Sequence, residues 1–126
     1  MSSVPNQQVR PAVAYSVLLG RVLEELRDKR FTQAQVAQAV GVTQATWSRY
    51  EKGTLSINVD ELLLAARALG TSVTNILNFT DQRCAELQAR GVTVVLQPRN
   101  KEIDSGLALV GAAGLGLLLG AILKKS

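Results

Sequence analysis

Few residues of this chain could do covalent or acid–base chemistry. Histidine is absent, which removes imidazole acid–base catalysis, histidine ligation of metals and every nucleophile–histidine pair. Cys84 is the single cysteine, so it forms neither an internal disulfide nor a cysteine-rich zinc site. It suits a reducing, cytoplasmic setting and is expected as a small, partly buried helix residue. No G-x-x-x-x-G-K-[ST] phosphate loop occurs. Neither an enzyme nor a bound cofactor or metal is therefore expected. What remains is a short stretch rich in hydrogen-bonding and cationic side chains: Gln33, Thr43, Gln44, Thr46, Ser48, Arg49, Lys52 and Thr54.

The elements that must position these residues are helices. Residues 33–52 read QAQVAQAVGVTQATWSRYEK. Thr32 is placed to N-cap one helix, which Gly41 ends by taking a positive φ; Thr43 caps the next, which Gly53 ends. Ala37 is small where two steeply crossed helices approach, and Gly41 makes the tight turn between them. Val36, Val40, Val42, Trp47 and Tyr50 then face inward together. Upstream, Tyr15, Leu18, Leu19, Val22, Leu23 and Leu26 form one apolar stripe of helical period. Downstream, a fourth helix opens at Asn58 or Asp60, with Val59, Leu62, Leu63, Ala66 and Leu69 inward and Gly70 at its end. Ser72 caps a short fifth carrying Val73, Ile76 and Leu77. Five short helices with brief links define an all-α domain over residues 12–79.

The residues T-Q-A-Q-V-A at 32–37, G-V-T-Q at 41–44, S-R-Y-E-K-G at 48–53 and L-A-A-R-A-L-G at 64–70 carry a resemblance. The chain resembles the Cro/repressor-like, or Xre-type, helix-turn-helix family over about residues 18–77. Members place the third helix in the major groove while the second crosses the backbone. Carried over by position, the resemblance implies that Gln33 touches a phosphate. It also implies that Gln44, at the start of the recognition helix, pairs with adenine N6 and N7. Thr43 lies on the same reading edge. Ala45 and Thr46 offer a methyl group and a hydroxyl, Ser48 follows on the exposed face, and Arg49 is suited to guanine O6 and N7. Lys52 and Thr54 fall where phosphate contacts are usual. Many members have a glycine in the turn between the first two helices, where Arg30 and Phe31 here run directly into Thr32. Ala45 also replaces a commonly longer polar residue, so base reading is sparse and DNA shape or a second half-site would add specificity.

Charge and the flanking segments set the remaining expectations. The formal net charge is +4, which permits an anionic partner, but residues 12–79 hold seven Lys/Arg against six Asp/Glu, a balance of +1. Residues 1–11 read as a flexible arm and not a secretory signal. Residues 80–104 read as a polar connector, with a helix at 81–90 and a strand at 92–97. That strand pairs either with its copy in a second subunit or against the helical domain. Residues 105–126 read as a glycine-rich apolar helix. At about 1.5 Å per residue, 105–123 spans about 28 Å, close to a bilayer core of about 30 Å. Ala112, Gly116 and Gly120 share a face suited to close helix packing. The segment is either a single membrane span, here an inner-membrane anchor, or an oligomerisation helix. The expected function is duplex DNA binding by a small transcriptional regulator, a repressor acting as a homodimer. The alternative is a membrane-associated assembly protein that uses the helical domain as an adaptor.

Overall fold

The computed structural model describes residues 10–96 and the backbone of residues 107–109. In chain order these form β1 (Arg10–Ala14), α1 (Tyr15–Arg27), α2 (Gln33–Val40), α3 (Gln44–Lys52), α4 (Val59–Ala68), α5 (Val73–Ala89), β2 (Thr93–Val95) and β3 (Leu107–Leu109). The five expected helices are present, and each cap has a physical cause. Thr32 and Asn58 make full capping boxes with Gln35 and Glu61, while Thr43 and Ser72 each accept a backbone N–H from the first turn. Gly41 and Gly53 close α2 and α3 at φ of 88° and 74°, the left-handed region that costs glycine nothing extra. Lys29 takes φ of 69° in the α1–α2 turn, a left-handed conformation that favours glycine.

Two apolar clusters hold the chain together. The larger gathers Val22 and Leu23 of α1, Val36, Ala37 and Val40 of α2, Trp47 and Tyr50 of α3, Leu62, Ala65 and Ala66 of α4, with Leu69 and Ile76. The stripe on α4 is therefore Leu62, Ala65, Ala66 and Leu69, an i, i+3, i+4, i+7 set. Val59 and Leu63 were expected inside and are not: they are 76% and 40% exposed. Val59 is the first residue of α4, ahead of the buried stripe, and Leu63 lies one residue beside it. The second cluster joins Val13, Ala14, Val17 and Leu18 to Leu87 and Val92. Cys84 packs half-buried against it, and burial pushes its thiol pKa up.

That second cluster corrects the boundaries expected at both ends of the domain. Arg10 and Pro11, expected in a flexible arm, belong to β1, whose Ala12, Val13 and Ala14 are almost wholly buried; residues 1–9 lie outside the described residues. The short fifth helix and the separate helix at 81–90 are one helix, α5. Nothing between Phe79 and Asp81 breaks it, and the buried Thr80 hydroxyl donates to the Ile76 carbonyl at 2.8 Å, turning a polar residue into a core one. Leu87 then carries the apolar face of α5 to the sheet. The expected strand at 92–97 is found at Thr93–Val95. It pairs in parallel with β1, Ala12 opposite Thr93 and Ala14 opposite Val95. Leu107–Leu109, expected in the apolar C-terminal helix, instead pair in parallel with the other edge of β1. The sheet order is β2-β1-β3, so β1 satisfies backbone donors and acceptors on both sides, which a lone strand cannot do. Residues 110–126 lie outside the described residues.

Gly20 marks the tightest crossing. A Cβ built there would sit 2.4 Å from the Tyr50 carbonyl oxygen and 2.5 Å from that of Glu51, both backbone atoms of α3. In an isolated helix Gly20→Ala should add about 1 kcal/mol of stability. In this fold it should remove about 1–3 kcal/mol, because α1 must move off α3. Thermal unfolding of the two proteins reads the sign directly.

Candidate nucleic-acid interface

The interface is built on a three-residue turn. The N–H of Gly41 donates to the Ala37 carbonyl at 2.8 Å, and that of Val42 to the same oxygen at 3.0 Å. Thr43 then reverses the chain into α3: its hydroxyl accepts the Thr46 N–H at 3.1 Å and lies 3.0 Å from the Thr46 hydroxyl. Trp47 and Tyr50 are held inward, Trp47 with no exposed surface, their rings edge to face at 6.0 Å. With 47, 50 and 51 buried, helical geometry leaves 44, 45, 48, 49 and 52 on the outer face.

Each residue expected at the site can be located on this frame. Thr43, Gln44, Ala45, Arg49, Lys52 and Thr54 are exposed, while Thr46 and Ser48 are half-buried. Gln44, Ala45, Ser48, Arg49 and Lys52 form one continuous stripe along α3. Among the described residues neither Arg49 nor Lys52 has a carboxylate partner. Thr46 is turned toward the cap, its hydroxyl engaged with Thr43. The Thr54 hydroxyl lies 3.4 Å from the Arg49 carbonyl and its N–H 3.1 Å from the same oxygen, so Thr54 closes the C-terminal end of α3. Gln33 is half-buried; its Nε2 donates inward to Glu51 Oε1 at 2.8 Å.

Sequence reasoning missed Glu51 and Arg27. Glu51 is 4% exposed and accepts from three elements at once. Trp47 Nε1 donates to its Oε2 at 2.6 Å, Gln33 Nε2 to its Oε1, and Arg27 to both oxygens, through Nε and, at 3.2 Å, through Nη2. Arg27 in turn donates through Nη1 to the Phe31 carbonyl. The hydrogen bonds and charge of Glu51 raise the Arg27 pKa further above its ordinary value, so this is a fixed ion pair. A carboxylate at this depth is tolerable only because both oxygens are fully bonded. The usable signal was Glu51 falling on the same helix face as Trp47, four residues earlier, where a charge has no place without a partner. Burial, followed by the hydrogen bond to Glu61 at 2.6 Å, pushes the Tyr50 pKa from 10.0 up to about 12.

An α2 that buries only Val36, Ala37 and Val40, a short glycine turn and an α3 with one apolar and one polar cationic face define a helix-turn-helix, the architecture that lays a helix in a groove of duplex DNA. Residues 18–78 match the family model described as a helix-turn-helix domain. The fold is similar to a crystal structure of the clp gene regulator ClgR from Corynebacterium glutamicum. The identity is 28% and the TM-score 0.57, covering 60% of this chain and 82% of that one. A second structure of ClgR from the same organism aligns at 29% identity and a TM-score of 0.51, over 54% of this chain and 90% of the other. Comparison with curated protein sequences gave no match.

Two outcomes follow from the buried network. Glu51→Gln leaves Arg27 without its counter-charge and should cost about 3–5 kcal/mol, read as a lower urea midpoint at neutral pH. The raised Tyr50 pKa means that the folded state holds that proton more tightly than the unfolded chain. Its stabilising contribution is complete below about pH 10 and is lost as pH rises towards 12. Tyr50→Phe should therefore flatten the alkaline fall in stability across that window, measured by urea titrations at a series of pH values.

Proposed function

We propose that the chain is a DNA-binding regulator whose α3 reads the major groove, not an enzyme. The single observation that carries this is the sorting of charge on α3: Glu51 is turned into the core while Arg49 and Lys52 stand unpaired on the outer face beside Gln44. A domain with a balance of +1 thereby presents a locally cationic, hydrogen-bonding stripe, which suits the donors and acceptors of base edges flanked by phosphates. The likeness to ClgR, a gene regulator, supports the same reading.

In this reading Gln44 pairs with adenine and Arg49 with guanine. Ala45 contacts a thymine methyl, Thr43 and Ser48 border the base-reading stripe, and Lys52 holds a phosphate. Gln33 contributes its second amide hydrogen to a phosphate while the first stays on Glu51. Thr46 serves the cap, and Thr54 offers its backbone edge. The chain acts as a homodimer and a repressor: one helix of this length covers only a half-site, and a two-fold site doubles the reading. Its place of action is the cytoplasm. Membrane tethering is the weaker part of the sequence expectation. With Leu107–Leu109 in the sheet, the apolar run left at 110–123 would span about 21 Å as a helix, short of a bilayer core of about 30 Å. Among the described residues no single helix is long and apolar enough to cross a membrane.

Selection from a random duplex library should return a two-fold site. On it Arg49→Ala should cost about 1–3 kcal/mol and relax one position, while Lys52→Ala should weaken all duplexes alike and reduce the salt slope by about 1. Equal binding to heparin and to the selected duplex would sink the reading.

A further inference from the structure

An apolar groove of about 400 Å³ opens beside the reading helix. It is lined by Tyr15 and Leu19 of α1, Tyr50 of α3, Leu55 and Ile57 of the α3–α4 link, and Leu96 just past β2. Leu55 is 40% exposed and Leu96 76%, so apolar surface is left uncovered here. Ser16 and the exposed Ser56 complete the lining, and three of its four side-chain hydroxyls, all but that of Ser56, are engaged elsewhere. The Tyr15 hydroxyl donates to Asp81, the Tyr50 hydroxyl to Glu61 and the Ser16 hydroxyl to the Gly53 carbonyl. The groove therefore suits an occupant without charge or hydrogen-bonding side chains.

The sheet brings such an occupant to its mouth. All three strands are parallel, so their C-terminal ends lie on one edge. On that edge β1 runs into Tyr15 and β2 into Leu96, both of which line the groove. Leu109, level with Ala12, points the chain the same way. The continuing backbone is two residues, or about 7 Å, short of the level of Ala14, and two strand spacings, about 10 Å, from β2. The segment that follows, 110–123, is VGAAGLGLLLGAIL, wholly apolar and uncharged. It is long enough to reach the groove whether helical or extended, and too short to span a bilayer as a helix, as argued above.

We propose that the C-terminal segment 110–123 of the same chain seats its leucines, Leu115 and Leu117–Leu119, in this groove. The tail then caps Leu55, Ile57 and Leu96 and braces the α3–α4 link that follows the reading helix. The proposal stands independently of DNA binding, since it concerns only how the chain covers its own apolar surface.

The test uses the full chain with Cys84→Ala as background. Leu118→Cys is combined either with Leu55→Cys, in the groove, or with Gln38→Cys, an exposed position on α2 that does not line it. Both substituted domain positions are exposed, and circular dichroism confirms that each variant folds. After mild oxidation and digestion, mass spectrometry should find an intrachain 55–118 disulfide at least about tenfold above 38–118, as expected for a seated tail over a free tether. Addition of anionic lipid vesicles should leave that ratio unchanged. A bond joining two chains, equal yields at the two positions, no bond at all, or loss of the bond on adding vesicles overturns the proposal. These would assign the tail to a second copy, to free solution or to a lipid surface.

Discussion

The Glu51 carboxylate is the point on which the rest of the domain turns. Its two oxygens take donors from α1, α2 and α3, fixing the relative setting of the three helices that make up the reader. An ion pair at this depth adds little net stability over an apolar substitute, because desolvation offsets most of the attraction. What it adds is direction. Apolar packing alone tolerates small rotations of one helix against another, whereas a carboxylate bonded to an indole, an amide and a guanidinium does not. Gly20 completes the constraint by letting α1 approach the Tyr50 and Glu51 carbonyls without an intervening Cβ.

The same interaction sorts the charge. Of the acids near α3, Glu51 faces the core and Glu61 is engaged by the Tyr50 hydroxyl and the Asn58 N–H. On α1, Arg21 is paired with Glu24 and Glu25 on the exposed side, and Glu25 also takes Arg83 from α5. Subtracting these pairs leaves Arg49 and Lys52 as the positive charges of the α3 face. Net charge over the domain is therefore a poor guide to its surface: the potential that a polyanion meets depends on which charges are neutralised nearby.

Around this reader the chain adds a small parallel sheet that draws its two ends together. β1 precedes α1, and β2 follows α5 after the turn at Gly91. Their union buries Val13, Leu18, Leu87 and Val92 in a cluster separate from the helical core. Adding β3 on the far edge brings the sequence after the domain back to the start of α1. The sheet is thus the mechanical link between the helix-turn-helix and whatever the apolar C-terminus contacts.

Local signals were legible wherever the physics is local. The caps at Thr32, Thr43 and Ser72, the left-handed Gly41 and Gly53, and the inward Trp47 and Tyr50 follow from side-chain chemistry within one or two turns of helix, while the choice of Asn58 over Asp60 as a cap came from the structure. The exposed stripe from Gln44 to Lys52 follows as their complement. Tertiary structure decided the rest, because it depends on partners distant in sequence. Arg27 and Gln33 meet Glu51 only once α1, α2 and α3 are packed. Val59 and Leu63 look like core until the stripe of α4 is seen to centre on Ala65 and Ala66. Residues 10 and 11 look like an arm, and 107–109 like part of a helix, until β1 and β3 supply each other's missing hydrogen bonds. A strand has no local signature as strong as a helix cap, since its backbone is satisfied only by a neighbour.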